Sequence, residues 1–214
     1  GDFPEAGADN RCKLSDVEFA MSRALLPETY DKALKVAALD VARYGDDSSV
    51  FAVRQGNKVL DIVEWGHKDS TYTQGRAARL IKEHKPIRTY VDVVGLGAGI
   101  YDNLKKEIGG EFKVMEFDSG KPALDTERYL NRRAEGYWEF NQKLADRELE
   151  MPNNDKLKAQ LADIRYTYNT KGLLQIESKE EAKSRGSKSP DIADAVMMTF
   201  GKKKGGGIIP VWRY

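Results

Sequence analysis

Cysteine and histidine are nearly missing from this 214-residue chain: Cys12 is the one cysteine, and His67 and His84 are the two histidines. A disulfide within the chain is impossible and a thiolate metal site is excluded. Neither histidine lies in a motif such as HExxH, so histidine-bound zinc and a Ser-His-Asp triad have little to build on. The cysteine usage suits a reducing compartment. No apolar run reaches the length of a membrane span and no segment reads as a signal peptide, so no membrane role is expected. The absence of Gly-x-x-x-x-Gly-Lys-Ser/Thr removes ATP hydrolysis by a P-loop. An excess of one charge is lacking too, with 35 Lys and Arg against 34 Asp and Glu. Any affinity for nucleic acid must then come from local clusters, of which Arg132-Arg133, Lys183-Ser-Arg185 with Lys188, and Lys202-Lys-Lys204 are candidates. For each cluster taken alone, ordinary solvated surface is the competing reading.

The length suits one domain, and the hydrophobic fraction of 40% can build its core. Residues 1–13 are polar and read as a linker. Apolar spacing predicts a helix over Leu14–Leu26, with Ser15 as N-cap and Pro27 as the stop. Three antiparallel strands follow, at Leu34–Asp40, Val50–Arg54 and Val59–Val63, the last two joined at the hairpin signal Gly56-Asn57. The pattern then alternates: helix Tyr72–His84, strand Arg88–Val94, helix Ala98–Ile108, strand Phe112–Phe117. Such alternation implies parallel strands joined by crossover helices. A long helix is expected over Asp125–Leu149, a shorter one over Asp155–Ile164, and a second hairpin over Arg165–Glu177 around Thr170-Lys-Gly172. A basic loop leads to a last helix, Asp191–Phe200, and then to a flexible tail ending in the apolar, aromatic Ile208–Tyr214.

Against this frame, four aspartates stand out. Asp40 ends an apolar strand, Asp92 lies inside one, and Asp191 and Asp194 open the last helix. A carboxylate in an apolar run is costly to bury unless something pairs with it. Clustered carboxylates repel one another unless cations lie among them. Oxygen ligands favour hard divalent ions, Mg²⁺ or Mn²⁺, and two such ions side by side suit phosphodiester cleavage. Each residue has a simpler explanation: Asp40 can cap a turn, and Asp191 can serve the helix dipole. Asp46 and Asp47 read as turn residues. Val91 and Val93 face one side of their strand and Asp92 the other, which makes Asp92 the hardest to explain structurally.

Two further features admit other functions. Gly95-Leu-Gly-Ala-Gly99, after a strand and before a helix, is similar to a dinucleotide-binding turn with Asp118 at ribose distance, although residue 100 is Ile. The competing reading is a tight turn that permits close approach of backbone, substrate or metal. Arg128, Arg132, Arg133, Tyr137 and Trp138 could form a basic, aromatic face for nucleic acid. An amphipathic helix with both aromatics partly in the core is preferred. The hairpin at Arg165–Glu177, with Tyr166, Tyr168 and Lys171, could reach over DNA or simply be solvated.

The order of elements resembles the RNase H-like fold, an α/β architecture with a central mixed five-stranded sheet flanked by helices, here with an added β-hairpin. The aspartate pair on the last helix is similar to the RuvC-like branch. Leu39-Asp-Val-Ala-Arg-Tyr-Gly-Asp-Asp-Ser-Ser-Val50, Val91-Asp-Val-Val-Gly-Leu-Gly-Ala-Gly99 and Glu177-Ser-Lys-Glu-Glu-Ala-Lys-Ser-Arg-Gly-Ser-Lys-Ser-Pro-Asp-Ile-Ala-Asp-Ala195 resemble, in the family's order, the nuclease domain of tailed-bacteriophage terminase large subunits. The resemblance covers roughly residues 34–200. It implies cleavage of double-stranded viral DNA during genome packaging, in the cytoplasm of the infected host. It implies two ions, Mg²⁺ or Mn²⁺, with Asp40, Asp92, Asp191 and Asp194 as ligands. It also implies a portal and a small terminase subunit as partners, and an isolated domain that is monomeric. Gly1-Asp-Phe-Pro4 resembles the end of a packaging ATPase domain. Residues 1–30 are then a linker and helix from that domain, 31–200 the nuclease, and 201–214 a flexible basic tail. Lys183, Arg185, Lys188 and Lys171 are candidates to hold DNA phosphates. A dinucleotide-binding enzyme and a non-catalytic DNA-binding or assembly module remain the alternatives.

Overall fold

A computed structural model describes residues 12–42 and 48–201. The expected turn residues Asp46 and Asp47, the linker residues 1–11, and the tail with Lys202-Lys-Lys204 and Ile208–Tyr214 lie outside the described residues. Five strands form one sheet: β1 (Lys35–Asp40), β2 (Ser48–Gln55), β3 (Lys58–Gly66), β4 (Arg88–Asp92) and β5 (Val114–Phe117), in the order β3-β2-β1-β4-β5. β1 pairs antiparallel with β2, and β2 with β3, through the two-residue turn at Gly56-Asn57, where Gly56 has φ of +57°. β4 runs parallel to both β1 and β5, and the crossovers are the helices α2 (Ser70–His84) and α3 (Gly97–Ile108). This is the mixed sheet expected from the alternation.

The two faces of the sheet bury different partners because strand side chains alternate. Ala37, Leu39, Phe51, Val53 and Val91 pack against α2 and α3. Val36, Ala38, Val50, Ala52 and Tyr90 face the larger core, which includes α1 (Leu14–Ser22), α4 (Arg132–Ala145), α5 (Asp155–Asp163) and α7 (Asp191–Met198). α7 is buried along its whole length. At its far end the Arg54 guanidinium donates to the Thr199 carbonyl at 2.7 Å and lies over the Phe200 ring, meeting the negative end of the helix with a cation.

Several boundaries differ from expectation. α1 ends at Ser22, and Ser15 lies inside it; the N-cap is Lys13. The helix packs on the domain: Cys12, Val17 and Ala20 are in the main core, and Met151 N–H donates to the Ala20 carbonyl. The long helix foreseen from Asp125 starts only at Arg132, capped by the Asn131 side chain, and ends at Ala145. Before it, the Leu130 N–H donates to the Leu174 carbonyl, and the Leu174 N–H to the Arg128 carbonyl. Those bonds attach the segment to the added hairpin, β6 (Tyr166–Tyr168) and β7 (Leu174–Ile176). The basic loop contains a short helix, α6 (Lys179–Ser184), opened by a capping box of Ser178 and Glu181.

The glycine-rich turn also has a specific use. Gly95 takes φ of +74°, and a Cβ on Gly97 would overlap the Asp92 carbonyl, whereas the space around Gly99 is open. The close approach is made by the chain's own backbone, which seats α3 against the end of β4. Gly97→Ala is therefore expected to destabilise the fold by about 1–3 kcal/mol. Gly99→Ala is expected to be neutral or stabilising by up to about 1 kcal/mol. Urea unfolding of the two variants checks this, and equal effects would contradict it.

Candidate active site

β1 and β4 lie side by side with Leu39 opposite Val91. Alternation along both strands then turns Asp40 and Asp92 toward the face that carries α7, the side of Ala38 and Tyr90. α7 packs across β1 and β2 on this face. Its first turn presents Asp191 and Asp194, three residues apart and so on one side of the helix. The four sequence-derived aspartates thus gather at one end of the sheet.

Their surroundings differ. Asp194 Oδ1 accepts from Tyr137 OH at 2.7 Å and from Arg133 Nε at 3.1 Å, while Oδ2 faces Lys179 Nζ at 3.2 Å. Asp191 Oδ2 accepts from the Ser48 N–H at 3.0 Å, and Oδ1 accepts from the Ser189 hydroxyl. Neither of these donors belongs to the helix; both tie Asp191 to neighbouring loop and strand. Asp92 is half-buried, with Oδ1 accepting from the Val94 N–H at 3.0 Å and Oδ2 from Ser119 Oγ at 3.2 Å. Asp40 is buried, and its Oδ2 has no hydrogen-bond partner. Lys179, first residue of α6, reaches Asp40 at 3.8 Å and Asp191 at 3.7 Å as well as Asp194.

The electrostatics follow from this arrangement. Burial pushes Asp40 well above the ordinary carboxylate range; Lys179 opposes the shift, and Asp194, Asp92 and Asp191 add to it. Asp92 is raised too, chiefly by burial. Burial would also raise Asp194, but Arg133 and Lys179 outweigh it and hold the group below its usual value. Lys179 is raised because the surrounding carboxylates overcome its desolvation.

Among the described residues no three acidic side chains close to the spacing that holds an ion directly. The Lys179 ammonium is the cation that lies between three of them. The donor set is nonetheless suited to one: all oxygen, hard, with Asp40 Oδ2 buried, without a hydrogen bond and facing only the distant Lys179 charge. Lys179, Arg133, Tyr137 and Ser119 were not singled out as site residues from sequence. Lys179 lay in a stretch read as a basic loop, and Arg133 was read as part of a nucleic-acid face.

The candidate phosphate-holding residues separate. Lys171 lies exposed in the β6–β7 turn, and Lys183 and Lys188 are exposed on and after α6. Arg185 is committed elsewhere: it donates to both Glu177 carboxylate oxygens at 2.8–2.9 Å and to Asp163 Oδ1 at 2.6 Å. It therefore ties α6 to the ends of β7 and α5, and is a structural clamp.

The sequence pattern of the terminase RNaseH-like domain family matches residues 37–203. This chain belongs to that family. The nuclease domain of the large terminase subunit gp2 of bacterial virus Sf6 shares 23% identity, with 90% of this chain and 98% of that one covered and a TM-score of 0.79. The large terminase nuclease of thermophilic phage G20c shares 13% identity over 79% and 82% of the two chains, at a TM-score of 0.61. The large terminase of bacteriophage HK97 shares 11% identity at a TM-score of 0.67, with 92% of this chain covering 44% of that one. At these identities the three show a shared RNase H-like fold. A comparison with curated protein sequences finds no match. Membership places the domain among terminase RNaseH-like domains, and no helix among the described residues is long and apolar enough to cross a membrane.

The unequal surroundings of the aspartates lead to opposite stability effects in the terminase domain. A carboxyl whose folded pKa is raised stabilises fully below its unfolded pKa and loses that contribution as pH rises through the folded value. In EDTA, Asp40→Asn should therefore raise the unfolding temperature, with a gain that grows as pH rises from 5 to 8. Asp194→Asn removes a carboxylate paired with a buried guanidinium and should cost about 3 kcal/mol. Calorimetric unfolding in EDTA across that pH range checks both signs.

Proposed function

We propose that this domain is a metal-dependent endonuclease that cuts double-stranded viral DNA during genome packaging, with Asp40, Asp92, Asp191 and Asp194 as ligands for two Mg²⁺ or Mn²⁺ ions. The observation that carries the reading is the convergence of four carboxylates at one end of the sheet, three of them within 4 Å of the single Lys179 ammonium. So costly a cluster has no structural purpose in a core that hydrophobic residues could fill. Ions bound there supply Lewis-acid stabilisation of charge and lower the pKa of bound water, so no histidine is needed. Similar structures of the Sf6 gp2 and G20c nucleases are described with manganese, calcium, cobalt or magnesium, which supports divalent-ion use.

The chain's own residues would act as follows. Asp40 and Asp92, on adjacent parallel strands, present oxygens from a rigid sheet. Asp191 and Asp194 present theirs from a helix fixed at both ends. Lys179 neutralises the cluster while no ion is bound and must move aside when one binds. Lys171, Lys183 and Lys188 hold flanking phosphates, which makes DNA affinity steeply salt-dependent. An ATPase domain of the same full-length protein, a portal and a small terminase subunit complete the assembly in the host cytoplasm, and the isolated domain is a monomer. The dinucleotide reading is less supported, because Gly97 serves to seat α3 close against the Asp92 carbonyl. A non-catalytic DNA-binding module remains the second reading, favoured by the lysine already seated among the carboxylates.

Supercoiled-plasmid cleavage in Mn²⁺, Mg²⁺ and EDTA separates the two. The nuclease reading expects nicking and linearisation in Mn²⁺, less in Mg²⁺, none in EDTA, and at least a hundredfold loss in Asp92→Ala. DNA binding without cutting in either metal would favour the module. Lys179→Ala should also shift Mn²⁺ binding, followed by calorimetry without DNA, to lower concentration; unchanged or weaker binding would contradict the stand-in role of the ammonium.

A further inference from the structure

The α4–α7 contact beside the acidic cluster holds a second layer of polar groups. Arg133 and Tyr137 are four residues apart on α4 and so share a face. Both donate to the same oxygen, Asp194 Oδ1. Tyr137 is fully buried, and the Arg133 side chain is 12% exposed. Between them lies Gly136, where a Cβ would overlap the Met197 sulfur of α7. The two helices therefore meet at a position where only glycine fits without displacement, and the donors on either side are brought to Asp194. Arg133 extends the link further: its Nη1 donates at 2.9 Å to the carbonyl of Glu177, two residues before Lys179.

We propose that Arg133 and Tyr137 are positioning residues for metal binding, saturating Asp194 Oδ1 so that only Oδ2 is offered to the cation position that Lys179 now fills. This inference rests on the nuclease reading above. Two donors on one oxygen leave the carboxylate little rotational freedom, and Asp194 is fixed as a one-oxygen ligand. Arg133 further couples the setting of that ligand to the chain segment that delivers Lys179. Partners of this kind orient a ligand before the ion arrives, and their loss typically lowers metal affinity about 10–100-fold.

The test is Mn²⁺ binding to the whole chain by calorimetry without DNA, together with kcat and KM for plasmid cleavage. Tyr137→Phe keeps the ring and its packing and removes one donor. Arg133→Lys keeps the charge and loses the fork, and serves as a second variant should the first fold poorly. Asp194→Asn is the reference for loss of the ligand itself. Each of the two variants should weaken Mn²⁺ binding about tenfold, and lower kcat with the KM for DNA unchanged. A change confined to unfolding temperature, with Mn²⁺ affinity as in the parent while Asp194→Asn abolishes it, would overturn the positioning role and leave the nuclease reading standing. A folded parent that binds no Mn²⁺ would overturn both.

Discussion

Repulsion among buried carboxylates is the constraint around which this end of the domain is organised. Two like charges about 4 Å apart cost about 4 kcal/mol at an effective dielectric constant near 20. That is comparable with the ~5–15 kcal/mol total stability of a typical domain. Four aspartates at one sheet end are tolerable only because cations are built in beside them. Lys179 arrives from α6 and Arg133 from α4, and they meet the cluster from different elements. α7 must bring Asp191 and Asp194 to the ends of β1 and β4 with little freedom. Burial along its length and the Arg54 contact at its C-terminal end provide that rigidity.

The two cations differ in character. Arg133 is a planar, rigid donor enclosed in the core and tied to a backbone carbonyl, so it acts as fixed scaffold. Lys179 is a compact charge on a flexible stem whose side chain is 36% exposed. Its helix is held by the Ser178–Glu181 capping box and by the Arg185 fork on Glu177 and Asp163. On the proposed reading, exchange of the ammonium for a divalent ion would need a side-chain movement and no rearrangement of the backbone. That division gives a cluster held rigidly by a sheet and a helix and neutralised by a mobile side chain.

How far this could be read in advance depended on whether a residue's task was local. Asp40 and Asp92 were visible because a carboxylate inside an apolar strand conflicts with its own neighbours, and alternation alone decides which face it takes. The sheet was legible for the same reason: Gly56-Asn57 and the switch from period two to helical period are signals within a few residues. The N-terminal helix and the long helix were overextended. Nothing local says that Arg128–Leu130 pair with Leu174, more than forty positions on, and the weak stop signal before Arg132 was the Asn131 cap. Lys179, Arg133 and Tyr137 acquire their roles only through partners far along the chain, such as Asp194. No periodicity or spacing announces a lysine that will stand among aspartates from a strand and a helix. Arg185 shows the converse: it looked like a phosphate contact, and tertiary structure gave it two carboxylates.

The most direct test of the central claim, that the aspartate cluster is a cation site presently balanced by Lys179, is a crystal structure grown with Mn²⁺ and phased to locate the metal by anomalous scattering. The account predicts manganese against Asp40 and its aspartate neighbours, with the Lys179 ammonium withdrawn from all three carboxylates. Lys179 still seated among them, with manganese absent or bound elsewhere at millimolar concentration, would contradict it.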